Sequence, residues 1–454
     1  MSSAPAPGSA PGPGPAARPA SAQAAPGSPP RGPLPALTRR GIDRSRDRAV
    51  TIAGLAVAAA YLLAAMTVIV VPGASSGPWL PLHLALAGGA SVAIAALLPF
   101  FAATLVATAP APGAWRAAAL GLIGGGALLV TVGFRSGQLM VAAAGGVLYL
   151  AGMGVLLALT LRLLRGSLIA RRRIFSVFYG AALVCVLVGA ALTTLFLAGV
   201  PAILAAWPTL RVAHAWLNLF GFVGLVVAVT LIHLYPTVVG ARIDQGRATV
   251  AGLLALTGGP AIVALGFMAG FWLLVALGGL LVTGGMIALI AYAVDVLRRR
   301  ARWTTDPDWH RFTTGSLTAA IGWLAAAGIG AAAVAVIRGP GPAGWVGGAI
   351  VLPLVLGAVV QAIVGSWSHL LPAIGPGSPV RHAWQRRMLG RVALPRLVAF
   401  QVGVGVLLLA SVAGDGGPAV TAGQALVVLP MAVSLGLFGV ALGGRRTAGR
   451  NGPD

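Results

Sequence analysis

The chain has no lysine and no glutamate: all 31 basic side chains are arginine and all 8 acidic ones are aspartate. The first absence rules out a Schiff-base lysine and the lysine of a phosphate-binding loop; the second rules out a glutamate general base. A single cysteine, Cys185, leaves no intrachain disulfide, no cysteine-built zinc site and no iron–sulfur cluster. Charge is scarce, 9% of 454 residues, against roughly a quarter in a soluble domain. What takes its place is apolar, 58% of the chain, with a mean hydropathy of +0.93. Such a composition belongs to a polytopic membrane protein. The net charge of +23 raises the question of a nucleic-acid partner. The arginines, however, sit in short clusters between long apolar runs. They read as determinants of membrane topology, with the lipid bilayer as partner and no nucleic acid.

Residues 1–48 are Ala, Pro, Gly and Ser with a few Arg and lack the apolar material for a core, so they are predicted to form a disordered tail. The first apolar run begins near Ala49, too far along for a secretory signal. Arg39-Arg40 leads into Gly-Ile-Asp-Arg rather than an apolar stretch, which argues against a twin-arginine signal.

A helix needs about 20 apolar residues to cross a bilayer. Twelve runs qualify, over approximately 49–71, 81–108, 115–134, 138–161, 174–199, 211–236, 249–268, 271–296, 314–337, 345–372, 392–413 and 422–443. The expected fold class is therefore an all-α bundle of about twelve transmembrane helices over 49–443, with 444–454 as a C-terminal tail. Only a short glycine-containing stretch divides the seventh run from the eighth.

Arginine placement tests that count. With the N-terminus in the cytoplasm, the segments on the cytoplasmic side carry Arg116, Arg162, Arg165, Arg171 to Arg173, Arg242, Arg247, Arg298 to Arg300, Arg302, Arg311, Arg381, Arg386, Arg387, Arg391, Arg445, Arg446 and Arg450. The opposite side carries Arg135, Arg211 and Arg338. This is the asymmetry of the positive-inside rule, and it predicts a multi-pass protein of the cytoplasmic (inner) membrane with both termini inside. The loop Trp303–Arg311 is then the longest cytoplasmic one and is expected at the interface. Close glycines, as in Gly124-Gly125-Gly126 and Gly278-Gly279, read as tight helix packing.

Ionisable groups inside a membrane are costly and usually functional. Four histidines fall at membrane positions, and topology sorts them into two layers. His83 and His214 open the second and sixth helices near the outer face; His233 and His369 close the sixth and tenth near the inner face. His214 and His233 are separated by about 28 Å of helix rise, so one metal cannot join them. A site would pair His83 with His214, or His233 with His369. His310 and His382 fall in cytoplasmic loops and read as solvated. No aspartate lies mid-membrane; Asp295 stands at the end of the eighth helix, and the main buried amides are Asn218, Gln361 and Gln401.

The inner pair shares a phrase, His233-Leu-Tyr-Pro236 and His369-Leu-Leu-Pro372, four helices apart. His83 and His214 are also four helices apart. The inferred repeat is therefore four helices, in three units: helices 1–4, 5–8 and 9–12. Asn218, one turn beyond His214, could orient its imidazole or bond to another helix. Arg211, three residues before His214, could face an anionic group such as a haem propionate, or snorkel to the interface.

Twelve helices, a threefold four-helix repeat and histidines near the outer ends of the second and sixth helices resemble subunit I of haem–copper oxidases. The phrases from His83 through Gly88-Gly89 and from Arg211-Val-Ala-His214 through Asn218 to Pro236-Thr look closer to a narrower group. This is the membrane region of actinobacterial copper nitrite reductase and multicopper oxidase fusion proteins, and more loosely the NnrS-like proteins. The resemblance implies haem b or copper as cofactor, a redox or nitrogen-oxide-related role and a redox partner protein. It makes His83, His214, Asn218 and Arg211 the cofactor-binding candidates, and His83, His214, His233 and His369 the metal ligands. The chain departs from the oxidases in having no histidine on the seventh helix or the outer half of the tenth, and Asn218 where they carry tyrosine. Oxygen reduction with proton pumping is not expected. Two other classes remain open from the residues alone: a transporter or channel, in which Gly258-Gly259-Pro260 would mark a broken helix, and a non-catalytic scaffold subunit.

Overall fold

The computed structural model describes residues 44–71, 77–106, 111–166, 170–243, 246–300, 305–345, 347–374, 378–414 and 417–443. The tails expected over 1–48 and 444–454 lie almost wholly outside the described residues. Among those described every regular element is helical, and twelve helices are long and apolar enough to cross a membrane. They are α1 (Ala49–Ile69), α2 (Trp79–Ala103), α3 (Gly113–Arg135), α4 (Leu139–Leu163), α5 (Ile174–Leu197), α6 (Pro201–Val239), α7 (Arg247–Ala269), α8 (Trp272–Arg299), α9 (Asp308–Arg338), α10 (Pro342–Pro372), α11 (Ala393–Ala413) and α12 (Pro418–Leu442). One bundle end is rich in arginine and the other poor.

Two boundaries correct the reading of the sequence. α6 starts at Pro201 rather than near residue 211 and runs 39 residues, about 58 Å, which exceeds the roughly 30 Å hydrocarbon layer. α7 passes through Gly258-Gly259-Pro260 without a break; the chain turns only at Gly270, in the left-handed region at φ 64°. Glycine meets no Cβ penalty there, and its N–H caps the Gly266 carbonyl.

The fourfold grouping is built into the packing. α2, α6 and α10 are the most buried helices, and each widens into a π-helical stretch: Leu84–Ala90, Trp216–Gly224 and Pro353–Val360. The stretch in α10 touches both of the others. In every case a glycine of the wide turn lies under a side chain from the preceding helix: Gly88 under Tyr61 of α1, Gly221 under Cys185 of α5, Gly357 under Trp323 of α9. A Cβ at any of the three would collide with that side chain. The third and fourth helices of each unit pair as hairpins, α3 with α4, α7 with α8 and α11 with α12. In the first two, glycines set backbone against backbone. Gly126 faces Gly145 O and Tyr149 N, and Gly278 faces Gly259 O and Val263 N. With lipid tails as apolar as leucine, such close approach is what holds helices together.

Beyond the π turns, toward the arginine-rich end, α2, α6 and α10 part around a cavity of about 80 Å³. Its walls are apolar except for Thr230 and Ser366, and Tyr179 of α5 bonds to the Thr230 hydroxyl at 3.0 Å.

Candidate functional site

The arginine-poor end holds the first two histidines. His83 is the last residue before the α2 π turn, and His214 lies two residues before that of α6. The two imidazoles are within electrostatic reach of each other. His83 Nδ1 is 2.7 Å from the Trp79 carbonyl one turn back, and the Trp79 indole stacks on the ring at 4.2 Å. A carbonyl only accepts, so Nδ1 carries the proton and donates, and Nε2 keeps its lone pair. His214 Nδ1 is 2.9 Å from Gly189 O and 2.7 Å from Thr193 Oγ1, both on α5. The same reasoning puts its proton on Nδ1 and its lone pair on Nε2.

That arrangement depends on the glycine. A Cβ at position 189 would run into the Asn218 amide, so its absence lets α5 come close enough for His214 to reach the Gly189 carbonyl. Asn218 donates to His214 O at 2.7 Å, and its Nδ2 stands 3.2 Å from His214 Nδ1. Its bond braces the His214 backbone. Arg211 is exposed on α6, ten residues inside the helix and not at its start. Trp207, stacked on Phe196, lies 6.3 Å from the His214 ring. At the equivalent place in α10, just before Pro353, stand Val351 and Leu352. The third unit thus offers no imidazole to this layer.

At the arginine-rich end the other two histidines have different neighbours. His233 Nδ1 donates to Val229 O at 3.1 Å, and its ring meets Phe175 of α5 edge-on at 4.1 Å. His369 stacks on Trp309 of α9 at 5.6 Å and lies within electrostatic reach of His310 and Arg386. Trp309 also donates from Nε1 to Ser368 O at 2.8 Å, and Arg386 lies over its ring.

His310, expected as a solvated loop residue, is instead part of a clamp on the first turn of α9. Its Nε2 bonds to Val238 O at the end of α6, and its Nδ1 is 2.7 Å from Asp306 Oδ2. Arg300 bonds both Asp306 oxygens at 2.9 and 3.0 Å. Asp306→Asn removes the carboxylate that joins Arg300 to His310 and is expected to cost about 1–3 kcal/mol. Asp295→Asn breaks only the exposed pair with Arg299 and is expected to stay within about 0.5 kcal/mol. Thermal unfolding of the two variants in detergent checks the contrast.

Two arginines were not legible as buried. Arg116 is the fourth residue of α3, 3% exposed and bonded to Thr51 Oγ1 at 2.5 Å; Arg396 is the fourth residue of α11, 4% exposed. They occupy corresponding places in the first and third units. Arginine inside an expected span (115–134 for Arg116, 392–413 for Arg396) is the signal that could have exposed both.

Among the described residues no group of three or more His, Cys or Asp side chains gathers around a point where a metal could sit. No protein-family model matches this chain, and no curated protein matches it.

Proposed function

We infer that this is a membrane protein of the haem–copper oxidase-like kind in which His83 and His214 hold a redox metal, haem iron or copper. The observation that carries the reading is the matched state of the two imidazoles. Each is locked by an Nδ1–H donated to a backbone carbonyl, on adjacent units of a threefold repeat. Metal-ligating histidines are oriented by such a bond, which directs the Nε2 lone pair and raises its basicity. The residues fit a two-imidazole site and not a three-histidine copper centre. Neutral imidazole suits both haem iron and copper.

Bound there, such a metal would supply one-electron chemistry, consistent with an electron-transfer or nitrogen-oxide-related role. The chain's own parts have separate tasks. Trp79 covers one face of His83, Thr193 and Gly189 fix the His214 tautomer, and Asn218 holds the His214 backbone. Arg211, three residues away and exposed, offers a positive charge to an anionic edge such as a propionate or to a docking redox protein. By the positive-inside rule this site lies on the side away from the cytoplasm. The inner pair is the weaker choice, since His233 and His369 face different partners.

An oxidised-minus-reduced visible spectrum with metal analysis on the detergent-purified chain tests the reading. Haem bands or copper near one per chain are expected; neither haem nor metal, after reconstitution with both, overturns it. A second reading, passage of a small uncharged solute, is favoured by the cavity between α2, α6 and α10. Its apolar walls suit no ion. Flux of such a solute into proteoliposomes, with no metal in the protein, would carry that reading instead.

A further inference from the structure

Arg396 sits near the arginine-rich end of α11 with its guanidinium turned into the bundle. Nη1 donates to Ser434 Oγ of α12 at 3.0 Å, and Nη2 donates to Leu389 O at 2.6 Å. The guanidinium carbon lies 4.1 Å above the Phe312 ring of α9. Nε has no hydrogen-bond partner in the protein. Opposite stands Gln361, the first residue after the α10 π turn, 4% exposed and with Oε1 likewise unpartnered. Between them is a cavity of about 20 Å³, whose other polar walls are Ser316 and Ser434.

A guanidinium does not deprotonate in a protein, and a cation taken out of water needs a compensating charge. None of the described carboxylates supplies it. Asp295 pairs with Arg299, Asp306 with Arg300 and His310, and Asp308 with Arg311. The Ser434 hydroxyl donates to Pro430 O at 2.7 Å and so accepts from Arg396 with its lone pair. These neighbours provide dipoles and a ring face but no negative charge. The cavity has room for one small species, and is too small for a phosphate or a carboxylate ligand.

We propose that this cavity is a binding site for a single small monovalent anion of halide size. Arg396 Nε–H and the Ser316 hydroxyl donate to it, and the Gln361 amide turns its NH2 toward it. The anion completes the charge of α11 and ties α9, α10 and α11 together at that level. The site is separate from the histidine layer at the other end and does not depend on a metal there.

The test is thermal unfolding of the full chain in detergent, followed by tryptophan fluorescence. Sodium chloride is exchanged for sodium gluconate at constant ionic strength, and bromide is run in parallel. Tm is expected to rise with chloride and bromide by about 2 °C for each tenfold excess over Kd. The rise should vanish in Gln361→Leu and in Arg396→Gln; if the arginine variant fails to fold, Gln361→Leu decides. Coincident chloride and gluconate curves for the unaltered chain overturn the proposal and leave the cavity to a bridging water. A halide effect that survives in both Gln361→Leu and Ser316→Val overturns it as well, because the anion then binds elsewhere.

Discussion

Alanine in place of His83 or of His214 is expected to strip the metal from the purified protein, raising its Kd by more than about 100-fold. Loss of an outer partner of a metal ligand typically weakens binding 10–100-fold; loss of one of only two ligands must exceed that. The two variants leave the bundle largely intact. His83 is half-buried, bonded to its own helix, and His214 is bonded to α5 through Nδ1 alone. Added imidazole should therefore restore the spectrum by occupying the space the side chain leaves. Thr193→Val gives a graded comparison. It removes the hydroxyl 2.7 Å from His214 Nδ1 and keeps the Gly189 carbonyl, so the tautomer survives and the loss should stay within about tenfold. His233→Ala should leave the spectrum unchanged. Titration of the apoprotein with haem and with copper, followed by absorbance, reads all four variants. Retention of metal by the His83 and His214 variants with loss in the His233 variant would transfer the site to the arginine-rich end.

Much of the fold was legible because its causes are local. Length and apolarity located twelve spans, and the arginine clusters separated the bundle's ends. The repeated His-Leu-x-Pro phrase, with the spacing of His83 and His214, pointed to units of four, which the packing of α2, α6 and α10 bears out. The errors also have physical reasons. The expected sixth span begins near 211 and leaves out Pro201, Trp207 and Pro208. Proline is at home in a first helical turn, and Pro201 opens α6 while Pro208 sits inside it. Gly258-Gly259-Pro260 suggested a break, but in a membrane helix neighbouring groups re-satisfy the backbone that proline frees. The π turns left no trace in sequence, since helices buried on every side carry no periodic polar marker. Arg396 passed unnoticed because it follows Arg391 and reads as the end of a surface cluster. His310 reads as solvated from its loop position, yet the nearby Asp306 and the Val238 carbonyl of a distant helix hold it. The site was half legible. The histidines and Asn218 were visible as residue types, whereas Thr193 and the Gly189 carbonyl belong to a different helix and meet His214 only in the folded bundle.

Alanine at Gly278 should destabilise the protein by about 1–3 kcal/mol, and leucine by more. A Cβ there would lie 2.6 Å from Val263 N and 2.7 Å from Gly259 O. Both atoms are backbone of α7, so no side-chain rotation relieves the contact. The helices must separate along the seam, where a Cβ on Gly266 would lie 2.7 Å from Val275 N and one on Gly285 2.9 Å from Gly252 O. Gly284, on the same helix, has nothing within 4 Å of its added Cβ. Alanine there should be neutral or stabilising by up to about 1 kcal/mol, since it removes only the entropic cost of glycine in a helix. Thermal unfolding of the two variants in detergent therefore separates seam packing from helix propensity. The double variant carries the argument further. Gly259→Ala places its methyl 3.0 Å from Gly278 O and Val282 N, on the other side of the same contact. Once the hairpin has parted for one methyl, the second meets less resistance, so the two costs should sum to less than their separate values. Full additivity would mean that each glycine is accommodated locally and that the α7–α8 seam does not act as one unit.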